Sequence, residues 1–460
     1  MLNQKTAQDI FNQVKKHCSA PELEIIFSST NYSLTRFANN TIHQNVSEVN
    51  EMASVRVAFD GKTARATTNR FDDESLKRAV QSAEGIARVQ EPDPDRLPLA
   101  GAEDGKQEGA APSRWFENTA TITPGDRAEV VGGIVGVAKK NGLVTAGIYS
   151  SSETADAVVN SNGLSVFHHQ TAAEVSITML ADDSSGWQKA NFPEVNNLQP
   201  LRMAEVAAEK ARTSRGPKEL APGKYTVILE PSAVLDLMGF MFWDFSGQAI
   251  LDQRSFLNNR VGTKLFGENI TIADDVRHPL QSNPPFDGEG VGRRRVSLVE
   301  NGVIRNVVYA RNTAARMRKA PIADKVGEIR VTGHGFPLPN EMGEAPTNIV
   351  FITPGQEQSV DQMIAGAEHA ILITRLWYIR EVDPYEKILT GMTRDGTFVV
   401  EDGKVRYGIR NFRFNQSLID TLNHVEAMSP VVRASGEESF DMVVPAMKVS
   451  GFNFTEVTRF

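Results

Sequence analysis

Hydrophobic and polar positions in the first 220 residues form two series of elements in the same order. Each series has an amphipathic helix, several alternating strands and a second helix. The pattern predicts helices at residues 4–17, 72–89, 126–141 and 199–214. It predicts strands at residues 23–29, 33–38, 52–60 and 62–68, and then at 143–153, 155–161 and 171–180. We therefore expect a duplicated α+β unit, with related modules at about 1–90 and 122–216.

Residues 91–113 separate the two modules. This stretch is rich in proline, glycine and acidic residues and lacks the apolar residues that a core requires. Such a composition is typical of a linker or a long surface loop.

Residues 222–260 have a different pattern. A short β-branched and aromatic strand at 225–229 precedes Pro231, which suits the first turn of a helix. Between residues 233 and 245 only Asp236 and Asp244 are charged, so the pattern predicts one long apolar helix. The apolar run is much shorter than the ~20 residues that a membrane span needs. We expect this helix to be covered by other protein.

The remainder of the chain predicts short strands separated by turn signals such as Asn301-Gly302 and Asp402-Gly403. Repeated hairpins of this kind favour a β-rich barrel or sandwich, with one amphipathic helix at residues 414–428. The expected fold is α+β, with an N-terminal domain at 1–218 and a C-terminal domain at 219–460.

Composition and charge limit the classes of function that are compatible with the sequence. The chain has 460 residues, 23% of them charged, and a formal net charge of -8. This acidic balance argues against a nucleic-acid partner, because phosphate binding needs clustered Lys and Arg. The single cysteine, Cys18, excludes a thiolate metal cluster within one chain. The N-terminus has no long apolar signal region, so we expect a cytoplasmic protein without membrane contact.

The second half of the chain contains long, specific sequence stretches. The run LTGMTRDGTF occupies residues 389–398 and is followed by NFRFNQS at 411–417. Together with the segments 371–422, 284–313 and 36–44, these residues closely resemble the TldD/PmbA family, also called TldD/TldE. The resemblance extends over nearly the whole chain.

This resemblance implies one of two kinds of subunit. TldD-type members resemble zinc metallopeptidases with a His-Glu-x-x-x-His helix and a later cysteine ligand, whereas TldE/PmbA-type members lack these ligands and pair with a TldD-type partner. The metal helix would correspond to the stretch around Gly239, Phe240 and Asp244. No histidine occurs between His169 and His278, so the chain matches the TldE/PmbA type.

We therefore expect a metal-free, non-catalytic subunit of a zinc peptidase that processes or degrades small unfolded peptides. The zinc would be bound by a TldD-like partner. In the absence of that partner, the chain could form a homodimer. Two alternatives are a peptide-binding scaffold homodimer and a regulator of DNA gyrase-type enzymes, the latter suggested by an old family name. The edges of the C-terminal strands could accept an extended peptide by strand addition, which would suit a subunit that holds substrate beside a catalytic partner.

Other candidate residues favour structural roles. The neighbours His168 and His169 point to opposite faces of a strand, which excludes joint ligation of one metal ion and favours a surface pair beside a turn. Asp287 and Glu289 lie in a glycine-rich loop that could bind peptide, act as an acid/base pair or bind a cation, although shaping the loop is the simpler interpretation. The Gly288-x-Gly290-x-Gly292 pattern leads into a strand, so we do not expect it to bind phosphate.

Overall fold

The computed structural model describes residues 2–458 and has a mixed α+β fold. Among the described residues, the N-terminal half contains five α-helices and six strands. They are α1 (Gln4–Lys15), β1 (Glu22–Ala38), β2 (Thr41–Phe59), β3 (Lys62–Thr68), α2 (Asp73–Val89), α3 (Glu117–Ala120), α4 (Pro124–Lys140), β4 (Val144–Asn160), β5 (Ser165–Leu180), β6 (Ser185–Phe192) and α5 (Pro200–Thr213).

The strands of both series lie in one six-stranded sheet of order β3-β2-β1-β4-β5-β6. The two halves meet at the centre, where β1 and β4 pair antiparallel from Glu24 to Phe37 of β1. Odd-numbered residues of β1 face the helices: Phe27 packs with α1 and α2, and Phe37 packs with α4 and α5. All four long helices therefore cover one face of the sheet.

The four helices predicted in this half are confirmed, but two strand predictions are wrong. The pairs of short strands predicted at 23–38 and 143–161 are single long strands, β1 and β4. Pairing on both sides keeps their polar central residues extended, which the hydrophobic pattern does not show. Strand β6 was not predicted.

Residues 233–245 do not form the one long helix that the sequence predicts. Helix α6 (Pro231–Met238) ends at a 3₁₀ turn over Gly239–Asp244, and a new helix, α7 (Gly247–Leu251), begins after Ser246. The Ser246 side chain accepts a hydrogen bond from Ala249 N and caps α7. The expected burial is found for most of this stretch.

The C-terminal half is β-rich. Its remaining elements are β7 (Gly223–Leu229), β8 (Ile272–Asp274), β9 (Val296–Glu300), β10 (Val303–Ile304), α8 (Arg311–Lys319), β11 (Ile349–Phe351), α9 (Val360–Ala365), β12 (His369–Asp383), β13 (Ile388–Glu401), β14 (Lys404–Gly408), β15 (Phe412–Ser417), α10 (Leu418–Asn423), β16 (Val425–Met428), β17 (Val432–Ala434), β18 (Met442–Val444) and β19 (Met447–Val457).

These strands form two sheets. One has six strands in the order β10-β9-β8-β11-β18-β17. The other contains the order β12-β7-β19-β15-β13-β14, and an additional pairing of β12 with β13 closes five of its strands into a ring. This closure agrees with the barrel alternative expected from the repeated hairpins.

The helix predicted at residues 414–428 is wrong. Strand β15 occupies its start, and only the short helix α10 separates it from strand β16. Phe412 and Phe414 are buried with alternate exposed residues between and after them, the period of a strand. The apolar spacing of this segment is compatible with a helix as well as a strand. Because β15 pairs with both β13 and β19, the segment forms a strand.

The uncovered face of the N-terminal sheet packs on the C-terminal half. Arg114, in the stretch before α3, donates hydrogen bonds to the carbonyl oxygens of Val276, His278 and Pro279. Arg65 of β3 donates to the Leu338 carbonyl at 2.7 Å. Within residues 2–458, no helix is both long and apolar enough to cross a membrane.

Candidate functional site

The turn over Gly239–Asp244 lies where the resemblance places a metal-binding helix. Gly239 packs so closely on the loop around Ser439 that a Cβ atom there would lie 1.9 Å from Ser439 Oγ. Phe240 is partly buried, and its carbonyl oxygen accepts a hydrogen bond from Lys387 Nζ. The first expected ligand position, Gly239, and the position expected for the glutamate base, Phe240, therefore carry no side-chain donor atom.

Asp244, the second expected ligand position, makes contacts that have a structural role. Its Oδ2 atom is 2.5 Å from Lys387 Nζ, and its Oδ1 atom accepts a hydrogen bond from Phe256 N at 3.0 Å. Burial raises the pKa of the Asp244 carboxyl group, and the Lys387 ammonium opposes that shift. Lys387 also contacts Glu381 at 2.6 Å. Asp244 thus anchors the turn to the β12–β13 hairpin.

Asp236 of α6 holds the neighbouring loop. Its carboxylate accepts hydrogen bonds from the backbone N–H groups of Leu376, Glu437 and Glu438. Burial raises the pKa of Asp236 to about 7, although these three backbone donors favour the ionised form. The contacts hold the loop in the position where Ser439 meets Gly239.

A cavity of 400 Å³ lies beside this turn, between the N-terminal sheet and the C-terminal half. The side of the turn contributes Phe242 and Trp243, and the loop after β17 contributes Phe440. The polar lining residues from the N-terminal sheet are Gln170 and Asn191. The combination of aromatic surface with a few amide groups is typical of a site for an organic ligand such as a peptide.

Trp243 is the exposed aromatic residue at the rim of this cavity. Half of its surface, 51%, is accessible, and its ring stacks on Phe336 with a centroid distance of 6.1 Å. Trp243 also lines a second cavity of 400 Å³ on the side of Met342. The indole therefore separates two adjoining concave regions.

Arg433 forms a wall of the cavity and joins the two halves of the chain. It donates hydrogen bonds to the carbonyl oxygens of Asn191 and Leu280 and to Ser282 Oγ. Its guanidinium also contacts the Asp441 carboxylate at 2.9 Å. All three guanidinium nitrogen atoms of Arg433 are bonded to these partners. Arg433 therefore has a structural role and fixes the shape of the cavity.

Asp287 and Glu289 are buried in the loop before β9. Asp287 accepts hydrogen bonds from the N–H groups of Glu289, Val291 and Gly335, so it shapes this loop. Asp287 also lines a cavity of 300 Å³, whereas Glu289 is 3.5 Å from Arg311. Burial and the neighbouring Asp287 charge raise the pKa of Glu289 to about 7.

Replacing Glu289 with glutamine is expected to change the pH dependence of stability. The pKa of Glu289 in the folded state lies above its value in the unfolded chain. The contribution of Glu289 to the free energy of unfolding is therefore fully present below about pH 4 and is lost as pH rises through 7. Relative to wild type, Glu289→Gln should gain roughly 1–3 kcal/mol between pH 4.5 and 7.5. Urea unfolding of both proteins across this pH range measures the difference in their free energies of unfolding. A difference that stays the same at every pH would contradict the prediction.

The neighbours His168 and His169 are partly buried within β5, so their predicted position beside a turn is wrong. His169 Nε2 lies 2.9 Å from Glu153, and its ring stacks on Trp115. His168 contacts Gln170, and burial lowers the pKa of His168 to about 4. The two side chains have separate partners on opposite faces of the sheet.

Three domain models of one family match the chain in order. Residues 23–87 match PmbA/TldA metallopeptidase domain 1, residues 123–215 match the central domain, and residues 222–456 match the C-terminal domain. The last match alone extends over half of the chain. The chain belongs to the PmbA/TldD family. The resemblance seen in the sequence is thereby confirmed.

Relatives of this PmbA/TldD chain are distant. Metalloprotease PmbA of Escherichia coli O157:H7 is 21% identical over 412 residues, with 86% of this chain and 85% of that protein covered. An uncharacterized protein of Methanocaldococcus jannaschii is 26% identical over 276 residues, which cover 58% of this chain and 61% of that one. The zinc metalloprotease TldD homolog of Saccharolobus solfataricus is 23% identical over 294 residues, with 61% of this chain and 60% of that protein covered.

Solved structures share the fold over nearly the whole chain. TldE from Thermococcus kodakarensis superposes with a TM-score of 0.85 at 20% identity and covers 98% of this chain and 100% of its own. A Thermotoga maritima protein described as a candidate modulator of a DNA gyrase has a TM-score of 0.83, also at 20% identity, with 98% of this chain and 100% of that one covered. The fold is thus that of TldE.

The residues of this PmbA/TldD member do not fit a zinc ion at the 239–244 turn. Zinc in a catalytic site requires three protein ligands, usually His, Cys or carboxylate. Asp244 supplies the one side-chain oxygen among the three aligned positions, and Lys387 and Phe256 N occupy it. Across the described residues, 2–458, no cluster of three or more His, Cys, Asp or Glu side chains is arranged to hold a metal.

Sequence reasoning found the aromatic side of the cavity and missed its other walls. Phe242 and Trp243 belong to a conspicuous apolar run, whereas Gln170, Asn191 and Arg433 are isolated polar residues far apart in the chain. The structure brings these five residues together around one cavity. Asp287 and Glu289 do not line it, so the two regions proposed from sequence do not form one site.

Proposed function

We propose that this chain is a metal-free, non-catalytic subunit that pairs with a TldD-like zinc subunit to form a peptidase for small unfolded peptides. The observation that carries the proposal is the 239–244 turn, where Gly239 and Phe240 offer no side-chain donor and Asp244 is neutralised by Lys387. The family relationship supports it, because curated relatives are named metalloproteases.

The chain's own contribution is to hold peptide in the cavity beside Trp243. An exposed indole offers a flat apolar surface to a side chain. Gln170 and Asn191 also line the cavity, and the amide hydrogens and lone pairs that their contacts with His168, Glu174 and Arg433 leave unused can hydrogen-bond a peptide backbone. Such contacts tolerate many sequences, as a subunit that handles unfolded peptides requires. The zinc subunit would supply the metal chemistry.

The test compares the purified chain, the TldD-like subunit of the same organism and an equimolar mixture of the two. We expect no stoichiometric zinc and no cleavage of an unfolded peptide by this chain alone, and cleavage by the mixture. Zinc is measured by elemental analysis and cleavage by mass spectrometry of the products. Stoichiometric zinc together with peptidase activity in the isolated chain would refute the proposal.

A further inference from the structure

Among the described residues, 2–458, no strand pairs with one side of the first part of β2, residues 41–52. Its other side pairs with β1, but β3 pairs with β2 only from Ala53 to Phe59. All twelve residues are exposed except Val46 and Glu51, which are partly exposed. A strand with a long open edge is a template for association unless Pro, Lys or frequent bulges protect it. Residues 41–52 contain no Pro, Lys or Arg, and the single register shift lies near His43.

Apolar side chains lie on both faces of this segment. Val46 and Met52 pair with Leu34 and Ser28 of β1 and share one face, whereas Val49 lies on the other face. Val49 is 66% accessible and Met52 is 39% accessible. A single added strand would cover the backbone edge and leave both apolar faces in water. Cover on both faces requires a groove in a folded protein.

The charge of the segment indicates which protein suits it. Glu48 and Glu51 are its acidic residues, and Lys and Arg are absent from residues 41–52. A second copy of the chain, with a net charge of -8, would place like charges against this segment. A groove with Lys or Arg at its rim is the complementary surface.

We propose that residues 41–52 of β2 form the surface that binds a folded partner subunit. This segment would lie in a groove of the partner whose rim carries Lys or Arg side chains. This inference rests on the proposed function, since it takes the partner to be the TldD-like zinc subunit. It adds the location and the chemistry of the contact. The hairpin is preorganised for it, because Asn40 anchors the β1–β2 turn to Leu143 O and Thr145 N.

The test measures binding of the intact chain to the TldD-like subunit by isothermal titration and surface plasmon resonance. Val49→Asp and the double variant Glu48→Lys/Glu51→Lys should each weaken binding at least about tenfold, because burial of a new charge or reversal of a complementary charge disfavours the contact. The double variant should also lower the association rate most strongly at low salt. Val89→Asp, the same substitution at an 80% accessible position on α2, should bind like wild type.

Circular dichroism and thermal unfolding confirm that each variant is folded, which the exposure of the substituted residues predicts. If the pair forms and the β2 variants bind like wild type, the surface is elsewhere while the proposed function stands. If wild type does not bind the TldD-like subunit, the proposed function fails and this inference fails with it. A homodimer of the chain alone that Val49→Asp dissociates would assign the surface to a second copy and overturn the proposal.

Discussion

Replacing Lys387 with methionine is expected to lower the free energy of unfolding by about 3–5 kcal/mol. Lys387 is 3% accessible and pairs with Asp244, the last residue of the 239–244 turn. Methionine has similar length but no charge, so Asp244 would remain buried with Phe256 N as its polar partner. The cost arises because a buried carboxylate without its counterion loses hydration without compensation. Glu381 is less affected, since a third of its side chain reaches solvent.

Urea unfolding followed by tryptophan fluorescence measures this loss, because Trp243 precedes Asp244 in the turn. Lys404→Met on exposed strand β14 is the matched control and should change stability by less than ~0.5 kcal/mol. The double variant Lys387→Met/Asp244→Asn should recover most of the loss, since asparagine is neutral and still accepts from Phe256 N. Unfolding of Lys387→Met at the same urea concentration as Lys404→Met would show that the ion pair does not anchor the turn.

Replacing Gly239 with alanine is expected to destabilise the fold by about 3 kcal/mol, through a steric clash. The new methyl group would lie 1.9 Å from Ser439 Oγ and 2.4 Å from Ser439 Cβ, far inside contact distance. The backbone at Gly239 is right-handed helical, so alanine brings no conformational strain of its own. The loop with Ser439 resists movement because Asp236 binds the N–H groups of Glu437 and Glu438.

Removing the opposing side chain tests this explanation directly. Gly239→Ala/Ser439→Gly should regain most of the lost stability, because the deleted Cβ and Oγ atoms are the two closest contacts. Gly132→Ala on α4 is the control, since a Cβ there meets no atom within 4 Å. In this helix the control should be neutral or slightly stabilising. Equal stability of Gly239→Ala and wild type would mean that the loop adapts and that close packing does not define the turn.

The sequence alone was sufficient for the four long helices of the N-terminal half, the expectation of a duplicated α+β unit and the family. These features depend on local information: Asp72 caps α2 through Ser75 N, and Thr123 and Asp126 form a capping box at α4. The absence of histidine from residues 170–277 is likewise read directly from the sequence. Local signals of this kind act over one or two turns and do not depend on the rest of the fold.

Tertiary structure decided the break after Met238, the strand at 412–417 and the walls of the cavity. The apolar run of residues 233–245 is compatible with one helix, and packing of Gly239 on a loop 200 residues later accompanies its end. Residues 414–428 have apolar spacing that suits a helix, yet pairing of β15 with two distant strands overrides it. Gln170, Asn191 and Arg433 meet only because the sheet packs on the C-terminal half. Contacts between residues far apart in the chain supply free energy that exceeds local preference, so they determine these features.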